Sequence, residues 1–252
     1  MRKIKANLPI KLEGTKNTRD LGGYQTTESC NTASGQFLRS DNPGKLSEKD
    51  VKLLYNYGVR LIIDFRSESE TQADPNPLKG YKDVAFINPQ LIDNIHTHGD
   101  KKAEAKATLP PTLGEMYIDF MENKKHIYQY IFKEILKHEA DCVFFNCTAG
   151  KDRAGTMAML LLKLAGVDDE VIIADYAISG DLIKEDMDRM LEGLKARGIQ
   201  IDEDMLRSNP KHMTLALKHI KDKYGDISNW YREVGLSDEE IEKLKNKVLG
   251  NY

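Results

Sequence analysis

Cys147 and Arg153 are the two residues whose types and spacing could do chemistry together. They bracket the segment Asn146-Cys-Thr-Ala-Gly-Lys-Asp-Arg153. A cysteine thiolate can attack the phosphorus of a phosphoryl group in line with the leaving group. The planar guanidinium of an arginine can bind two equatorial oxygens of the same phosphoryl group. With three Cys and ten Arg in 252 residues, the Cys-x5-Arg spacing arises by chance in about one such chain in ten. The flanking elements must therefore decide whether the pair is functional.

Those flanking elements predict an oxyanion cradle. Asp141-Cys-Val-Phe-Phe-Asn146 predicts a short strand, and the Met-, Leu- and Ala-rich run from Ala154 to Leu164 predicts a helix that ends at Gly166. A loop between a strand and a helix N-terminus directs its backbone N–H groups into one bowl. Here the bowl would be lined by Thr148, Ala149 and Gly150. The same helix N-terminus would stabilise a thiolate on Cys147.

The elements around this loop predict an α/β fold with a small, mostly parallel central sheet flanked by helices. Strands are expected at residues 36–39, 59–64 and 83–87, with a Ser47-led helix between the first two and a further helix over residues 127–136. Residues 73–112 contain five prolines and are expected to be mostly loop. We expect one domain over residues 1–252, in which residues 167–252 form a helical extension that packs on or over the site.

Composition and charge exclude several classes of protein. A net charge of −3 and a pI near 6.1 lack the basic balance of a nucleic-acid binder. No signal peptide or membrane-spanning segment is visible, so we expect a cytoplasmic chain without integral membrane association, or a secreted one if a signal peptide has been removed. Three cysteines without a C-x-x-C pair indicate neither a disulfide framework nor a zinc site. His96 and His98 lack further ligands nearby, so we expect no metal and no cofactor.

The loop sequence also resembles a known family. Asn146 to Gly155 is similar to the His-Cys-x-Ala-Gly-Lys-Asp-Arg-Thr-Gly signature of the bacterial tyrosine-protein phosphatases, whose members often accept phosphoserine, phosphothreonine and phosphoinositides. The resemblance extends to Asn17-Thr-Arg-Asp-Leu-Gly-Gly-Tyr24, to Leu38-Arg-Ser40 and to Asp64-Phe-Arg-Ser67. It covers nearly the whole chain and is weakest from about Pro75 to Thr112. A protein-tyrosine-phosphatase-like fold is implied.

This resemblance implies a cysteine-dependent phosphomonoester hydrolase of dual specificity that acts through a phosphocysteine on Cys147. Its substrate would be a phosphoprotein or a phosphoinositide. Arg153 would bind the phosphate, Lys151 would support polyanionic headgroups, and Asp152 would be the first candidate for the general acid. Asp64 ranks second, although a salt bridge with Arg66 or Arg19 is the alternative, and Asp93 ranks third. Arg19 and Asp20 are expected to brace the site, and Arg19 and Asp64 are also candidates for contact with the phosphate or the substrate.

Two residues depart from the family pattern. Asn146 replaces the family's His, and its amide can donate a hydrogen bond but cannot carry charge. Ala154 replaces a Thr or Ser whose hydroxyl stabilises the departing thiolate, so slow hydrolysis of the phosphocysteine is expected. The departures keep a second function open, a phosphate- or phosphoinositide-binding pseudo-phosphatase with little turnover. Arsenate reduction and sulfur transfer also use Cys-x5-Arg, but the former needs a resolving thiol that Cys142 is poorly placed to supply.

Overall fold

A five-stranded sheet lies at the centre of the computed structural model, which describes residues 9–92, 112–138 and 141–251. The strand order is β1-β2-β5-β3-β4. β1 pairs antiparallel with β2, whereas the other three neighbouring pairs are parallel. The predicted α/β fold with a mostly parallel sheet is therefore confirmed. The strands are β1 (Arg19–Asp20), β2 (Phe37–Ser40), β3 (Val59–Asp64), β4 (Ala85–Ile87) and β5 (Cys142–Asn146).

Helices flank the sheet and fill most of the C-terminal third of the chain, as predicted for the residues after Val167. The capping boxes at Ser47 and Ser237 begin two of them. Short 3-10 helices cover Pro43–Lys45 and Glu203–Leu206. The α-helices are α1 (Glu48–Asn56), α2 (Glu68–Ala73), α3 (Leu113–Asn123), α4 (Lys125–Leu136), α5 (Arg153–Leu164), α6 (Asp169–Leu182), α7 (Lys184–Ala196), α8 (Pro210–Tyr224), α9 (Ile227–Val234) and α10 (Asp238–Leu249).

The two faces of the sheet bury different apolar clusters, because successive side chains of a strand point to opposite sides. Ile63 of β3 and Phe145 of β5 belong to a large cluster that includes side chains of α3 to α6 and α8 to α10. Ile62 and Phe144, their neighbours in sequence, belong to a smaller cluster with Leu54 of α1. The C-terminal helices therefore share a core with the sheet strands that carry the Cys147 loop.

Two helices were not predicted from the sequence. α2 has no buried residue, so it lacks the apolar periodicity by which helices are recognised. α3 does bury one face, at Leu113, Met116, Tyr117 and Phe120, but it directly follows the proline-rich segment that indicated a loop. The strand predicted near residue 85 is confirmed in a shorter form as β4. Asp93 and the polar stretch to Thr108 lie outside the described residues.

Candidate active site

The loop between β5 and α5 carries a run of backbone N–H donors. β5 ends at Asn146 and α5 begins at Arg153. Within the described part of the chain, the backbone N–H groups of residues 148–153 donate no hydrogen bond to a protein acceptor. Free N–H groups at a helix N-terminus are good ligands for an oxyanion, and the helix dipole favours negative charge there. The loop can therefore bind a phosphate-like group beside Cys147.

The cysteines at the two ends of β5 differ in their surroundings. Cys142 and Cys147 are both buried, with 1% of each residue exposed. Burial raises the pKa of the Cys142 thiol well above its ordinary value, which keeps that residue in the unreactive thiol form. Cys147 instead has the guanidinium of Arg153 as an electrostatic partner. Of the two thiols, Cys147 is thus the one with a cationic side chain beside it.

Arg153 is held by Phe65, Thr148 and Glu70. Its Nη1 donates to the Phe65 carbonyl at 2.8 Å and to Glu70 Oε2 at 3.2 Å. Its Nη2 donates to Thr148 Oγ1 at 3.0 Å, and that hydroxyl also bonds Glu70. Burial by itself would lower the pKa of Arg153, but negative charge at Cys147 and Glu70 outweighs burial and raises it. The guanidinium is therefore a fixed, permanent positive charge at the loop.

Glu70 is correspondingly held as a carboxylate. It lies in the first turn of α2, where it also accepts a hydrogen bond from the backbone N–H of Ser67 in a capping box. Burial alone would raise the pKa of Glu70, but the hydrogen bond and charge of Arg153, together with the Thr148 hydroxyl, lower it to about 2. Glu70 therefore remains ionised across the physiological pH range.

Contacts from β2 and from the segment before β1 brace the carbonyl groups of the loop. Asn17 Nδ2 donates to the Ala149 carbonyl at 2.9 Å, and Arg39 Nη2 donates to the Gly150 carbonyl at 2.6 Å. Gly150 has φ +66, and a Cβ at this position would lie 2.7 Å from the backbone nitrogen of Asp41. The loop conformation therefore requires glycine at position 150.

Behind this brace lies a buried cluster of one carboxylate and two guanidinium groups. Asp175 of α6 accepts from Arg19 Nε at 2.8 Å and from Arg39 Nη1 at 2.5 Å, and all three side chains are at most 1% exposed. Burial by itself would raise the pKa of Asp175, but the two arginines hold it well below its usual range. Every N–H of Arg19 bonds Asn17, Asp175 or Ser179. In this structure the donors of Arg19 are therefore all taken by protein groups, and its contact with Asn17 links it to the loop.

Asp64 is also committed to a protein partner rather than to substrate. Its carboxylate is fully buried and pairs with Arg66, which donates through Nε at 3.0 Å and through Nη2 at 2.7 Å. Asn146 Nδ2 adds a third side-chain donor at 2.9 Å. The salt bridge left open in the sequence analysis is therefore the observed state. It ties the end of β3 to the end of β5.

Asp152 is the acidic residue of the loop whose carboxylate keeps access to solvent, with 22% of its side chain exposed. Tyr117 of α3 donates to its Oδ1 at 2.6 Å, and the hydroxyl of Tyr117 lies 2.8 Å from that of Tyr176 on α6. Asp20, in contrast, accepts hydrogen bonds from the backbone N–H groups of Gly22 and Gly35. These contacts tie Asp20 to the turn after β1.

Lys151 lies beneath the segment around the second 3-10 helix. Its side chain is 2% exposed, and its Nζ donates to the carbonyls of Met205 at 2.8 Å and Arg207 at 3.3 Å. The Nζ also lies 3.5 Å from Asp152 Oδ1. In this structure Lys151 therefore anchors the segment before α8 to the loop.

Three residues of the site were missed from the sequence. Glu70 had a readable signal, because Ser67 and Glu70 have the spacing of a capping box directly after a predicted strand end. Asp175 and Tyr117 had none, because each lies within a helix and gains its partner only through packing.

No metal centre was expected, and the described residues contain no group of three or more His, Cys, Asp or Glu side chains placed to hold a metal ion. His96 and His98 lie outside the described residues. In the described ranges we also find no helix that is both long and apolar enough to cross a membrane.

Comparisons with known proteins show which proteins this chain resembles. A tyrosine-protein phosphatase of Nostoc commune is 30% identical over 221 residues, which cover 84% of this chain and 74% of that protein. The triple specificity protein phosphatase PtpB of Mycobacterium tuberculosis is 26% identical over 275 aligned residues, covering 95% of this chain and 98% of that protein. Among solved structures, P. aeruginosa TpbA aligns with a TM-score of 0.41 at 15% identity, covering 82% of this chain and 97% of that chain.

A sequence profile described as the tyrosine phosphatase family matches residues 10–250, almost the entire chain. The match includes the Cys147 loop, its bracing residues and the helices that pack on it. The chain therefore belongs to the tyrosine phosphatase family and is a protein-tyrosine phosphatase, a phosphoric monoester hydrolase, as its sequence predicted.

Proposed function

We propose that the chain is a single phosphatase domain that hydrolyses phosphomonoesters through a covalent phosphocysteine on Cys147. The observation that carries the proposal is the coincidence of three features in one loop. Residues 147–153 contain a cysteine, an arginine paired with it electrostatically, and six backbone N–H groups that have no acceptor among the described residues. Together they supply a nucleophile and an electrostatic cradle for the oxygens of a phosphoryl group.

The reaction runs in two balanced steps. The Cys147 thiolate attacks phosphorus, the bond from phosphorus to the ester oxygen breaks, and Asp152 gives its proton to that oxygen. Arg153 and the loop N–H groups bind the three equatorial oxygens throughout. In the second step, the oxygen of a water molecule attacks phosphorus while Asp152 takes a proton from that water. The phosphorus–sulfur bond then breaks, releasing inorganic phosphate and restoring the thiolate.

Asp152 is the better of the two described candidates for the general acid. A general acid must reach the leaving oxygen within hydrogen-bond distance. Asp152 belongs to the loop itself and is partly exposed, whereas Asp64 is fully buried and paired with Arg66. A buried carboxylate that is held by two guanidinium contacts does not move easily toward a leaving group.

The proposed substrates are phosphotyrosine proteins together with phosphoserine, phosphothreonine or phosphoinositide esters. Support for this breadth comes from the name of the Mycobacterium tuberculosis relative, a triple specificity protein phosphatase, and from the family resemblance of the Lys-Asp-Arg segment. Lys151 is bonded to the Met205 and Arg207 carbonyls, so it can reach a headgroup only when the segment around residue 205 moves.

A matched pair of cysteine variants tests the proposal. We expect the wild-type protein and Cys142→Ser to hydrolyse p-nitrophenyl phosphate, and Cys147→Ser to be inactive. Both cysteines are buried to the same degree, so the pair separates chemistry from packing. Mass spectrometry of acid-quenched wild-type protein should show one added phosphoryl group on the peptide that contains Cys147. Hydrolysis by Cys147→Ser, or by none of the three proteins, would refute the proposal.

Ala154 and Asn146 favour the second candidate, a phosphate-binding pseudo-phosphatase. The same experiment separates the two. A protein that binds inorganic phosphate through Arg153 but shows neither turnover nor a phosphorylated Cys147 peptide belongs to the second class. For proteins that do turn over, a panel of phosphopeptides and phosphoinositides, each run against Cys147→Ser, identifies the substrate class.

A further inference from the structure

Two buried tyrosines form a chain of hydroxyl groups that ends on Asp152. Tyr117 is fully buried and Tyr176 is 1% exposed. Their hydroxyl oxygens are 2.8 Å apart, and Tyr117 lies 2.6 Å from Asp152 Oδ1. The rings meet edge to face with centroids 5.9 Å apart. The pair therefore forms a rigid support that reaches from the core to the loop.

The hydrogen bonds of this chain can run in one direction. Among the described residues, the Tyr176 hydroxyl has no acceptor other than the Tyr117 oxygen. A buried hydroxyl that leaves its proton unpaired is costly. Tyr176 therefore donates to Tyr117, and Tyr117 donates to Asp152. Burial and the neighbouring Asp152 charge raise the pKa of Tyr117 well above its ordinary value, so this donor keeps its proton.

The two oxygens of Asp152 are consequently not equivalent. Oδ1 accepts from Tyr117 and is the oxygen nearest to Lys151 Nζ, at 3.5 Å. Oδ2 has no hydrogen-bond partner within the described ranges of the chain. A protonated carboxyl group has a single O–H. Because Tyr117 donates to Oδ1 in either protonation state, the catalytic proton must reside on Oδ2.

We propose that Tyr117 is a positioning residue for general acid–base catalysis, which fixes Asp152 through Oδ1 and so directs its proton to Oδ2. Tyr176 supports this role by fixing the direction of the Tyr117 hydroxyl. The inference rests on the proposed function, because it assigns a task within the Cys147 reaction. It also explains why two tyrosine hydroxyls are buried beside the phosphate loop.

The test compares substrates whose leaving groups differ in basicity. A poor leaving group such as phenolate depends strongly on protonation by the general acid, whereas p-nitrophenolate departs with little assistance. We expect Tyr117→Phe to lower kcat/KM for phenyl phosphate about tenfold more than for p-nitrophenyl phosphate, a fraction of the full effect of a general acid. Tyr176→Phe should shift the ratio in the same direction by a smaller factor.

Tyr128→Phe is the matched control, because it removes a buried tyrosine hydroxyl that has no hydrogen-bond partner in the part of the chain that the structure describes. We expect it to leave the ratio of the two substrates unchanged. In an Asp152→Asn background, Tyr117→Phe should have no further effect on the ratio.

Equal losses for both substrates in Tyr117→Phe and Tyr176→Phe would overturn the inference and indicate a purely structural role. A ratio change that persists in the Asp152→Asn background would also overturn it. If Tyr117→Phe does not fold, Tyr176→Phe decides by the same criterion. Failure of the proposed function would look different, since the wild-type protein would then lack hydrolysis dependent on Cys147.

Discussion

Replacing Asp175 with asparagine tests whether one buried carboxylate holds the bracing of the phosphate loop together. Its Oδ1 accepts from Arg19 and Tyr24, and its Oδ2 accepts from Arg39. Asparagine keeps the shape of the side chain but has one acceptor oxygen and no charge. In Asp175→Asn the new NH2 group must face a donor of Arg19 or Arg39. Two buried guanidinium groups then lose their shared counter-charge.

The size of the effect follows from this geometry. Removing one partner of a buried ion pair costs about 3–5 kcal/mol in the free energy of unfolding. With a urea dependence of about 2 kcal/mol per molar, the midpoint of unfolding should fall by about 2 M. Because the folded-state pKa of Asp175 is lowered, its contribution is fully present above the pKa of an unfolded aspartate, about 3.9. The contribution is lost as the pH falls below that value.

Urea unfolding, followed by the fluorescence of Trp230, measures the loss. Trp230 is the single tryptophan of the chain and is fully buried. Asp169→Asn is the matched control, because Asp169 lies on the same helix in a partly exposed pair with Lys163, worth about 1 kcal/mol or less. Phosphate inhibition should also weaken in Asp175→Asn, because Arg39 braces the Gly150 carbonyl. A loss no larger than that of the control would refute the reasoning.

Three further predictions concern the loop. Gly150→Ala should lower kcat/KM about 100-fold, because residue 150 has a positive φ and a Cβ there would collide with the backbone. Gly80→Ala is the control and should leave kcat/KM unchanged, because residue 80 has a similar φ but no atom lies near the added Cβ. Glu70→Gln should raise KM for an aryl phosphate about tenfold, because Arg153 is then held less firmly. The increase should be the same at pH 5 and pH 8, because the pKa of Glu70 is about 2. A lower KM would show instead that the Glu70 carboxylate competes with the substrate for Arg153. Ala154→Thr should raise kcat and shrink the pre-steady-state burst; a wild-type protein without a burst would contradict slow hydrolysis of the intermediate.

Much of the fold could be predicted because its core elements have strong local signals. The runs that became β3 and β5 are short, apolar and bounded by turn residues, which marks strands buried on both faces. Gly58 and Gly166 have positive φ and lie just after the C-terminal ends of α1 and α5. α2 could not be found in this way, because a six-residue helix with no buried side chain has no periodicity.

The site was predictable where the chemistry lies in consecutive residues, and not where it depends on packing. The Cys147–Arg153 loop is contiguous, so its members could be named from the sequence. Asp175 lies more than twenty residues after Arg153, on α6. Nothing in the sequence of that helix distinguishes Asp175 from a residue of an ordinary packed helix. Its partners are chosen by the contact of α6 with the sheet. Arg19 was expected near the site, but its partner Asp175 could not be identified from the sequence.

The two departures from the family signature, at positions 146 and 154, differ in their expected effect on turnover. Asn146 donates to Asp64 at 2.9 Å, so it joins the ends of β3 and β5, a task for which its amide suffices without charge. Ala154 has no such compensation. Thr156 carries the next hydroxyl on α5, but it donates to the Asp152 carbonyl at 3.0 Å, four residues back along the helix. No hydroxyl in the first turn of α5 is therefore free to stabilise the departing thiolate. We infer that any slowness of the enzyme originates at position 154 rather than at position 146.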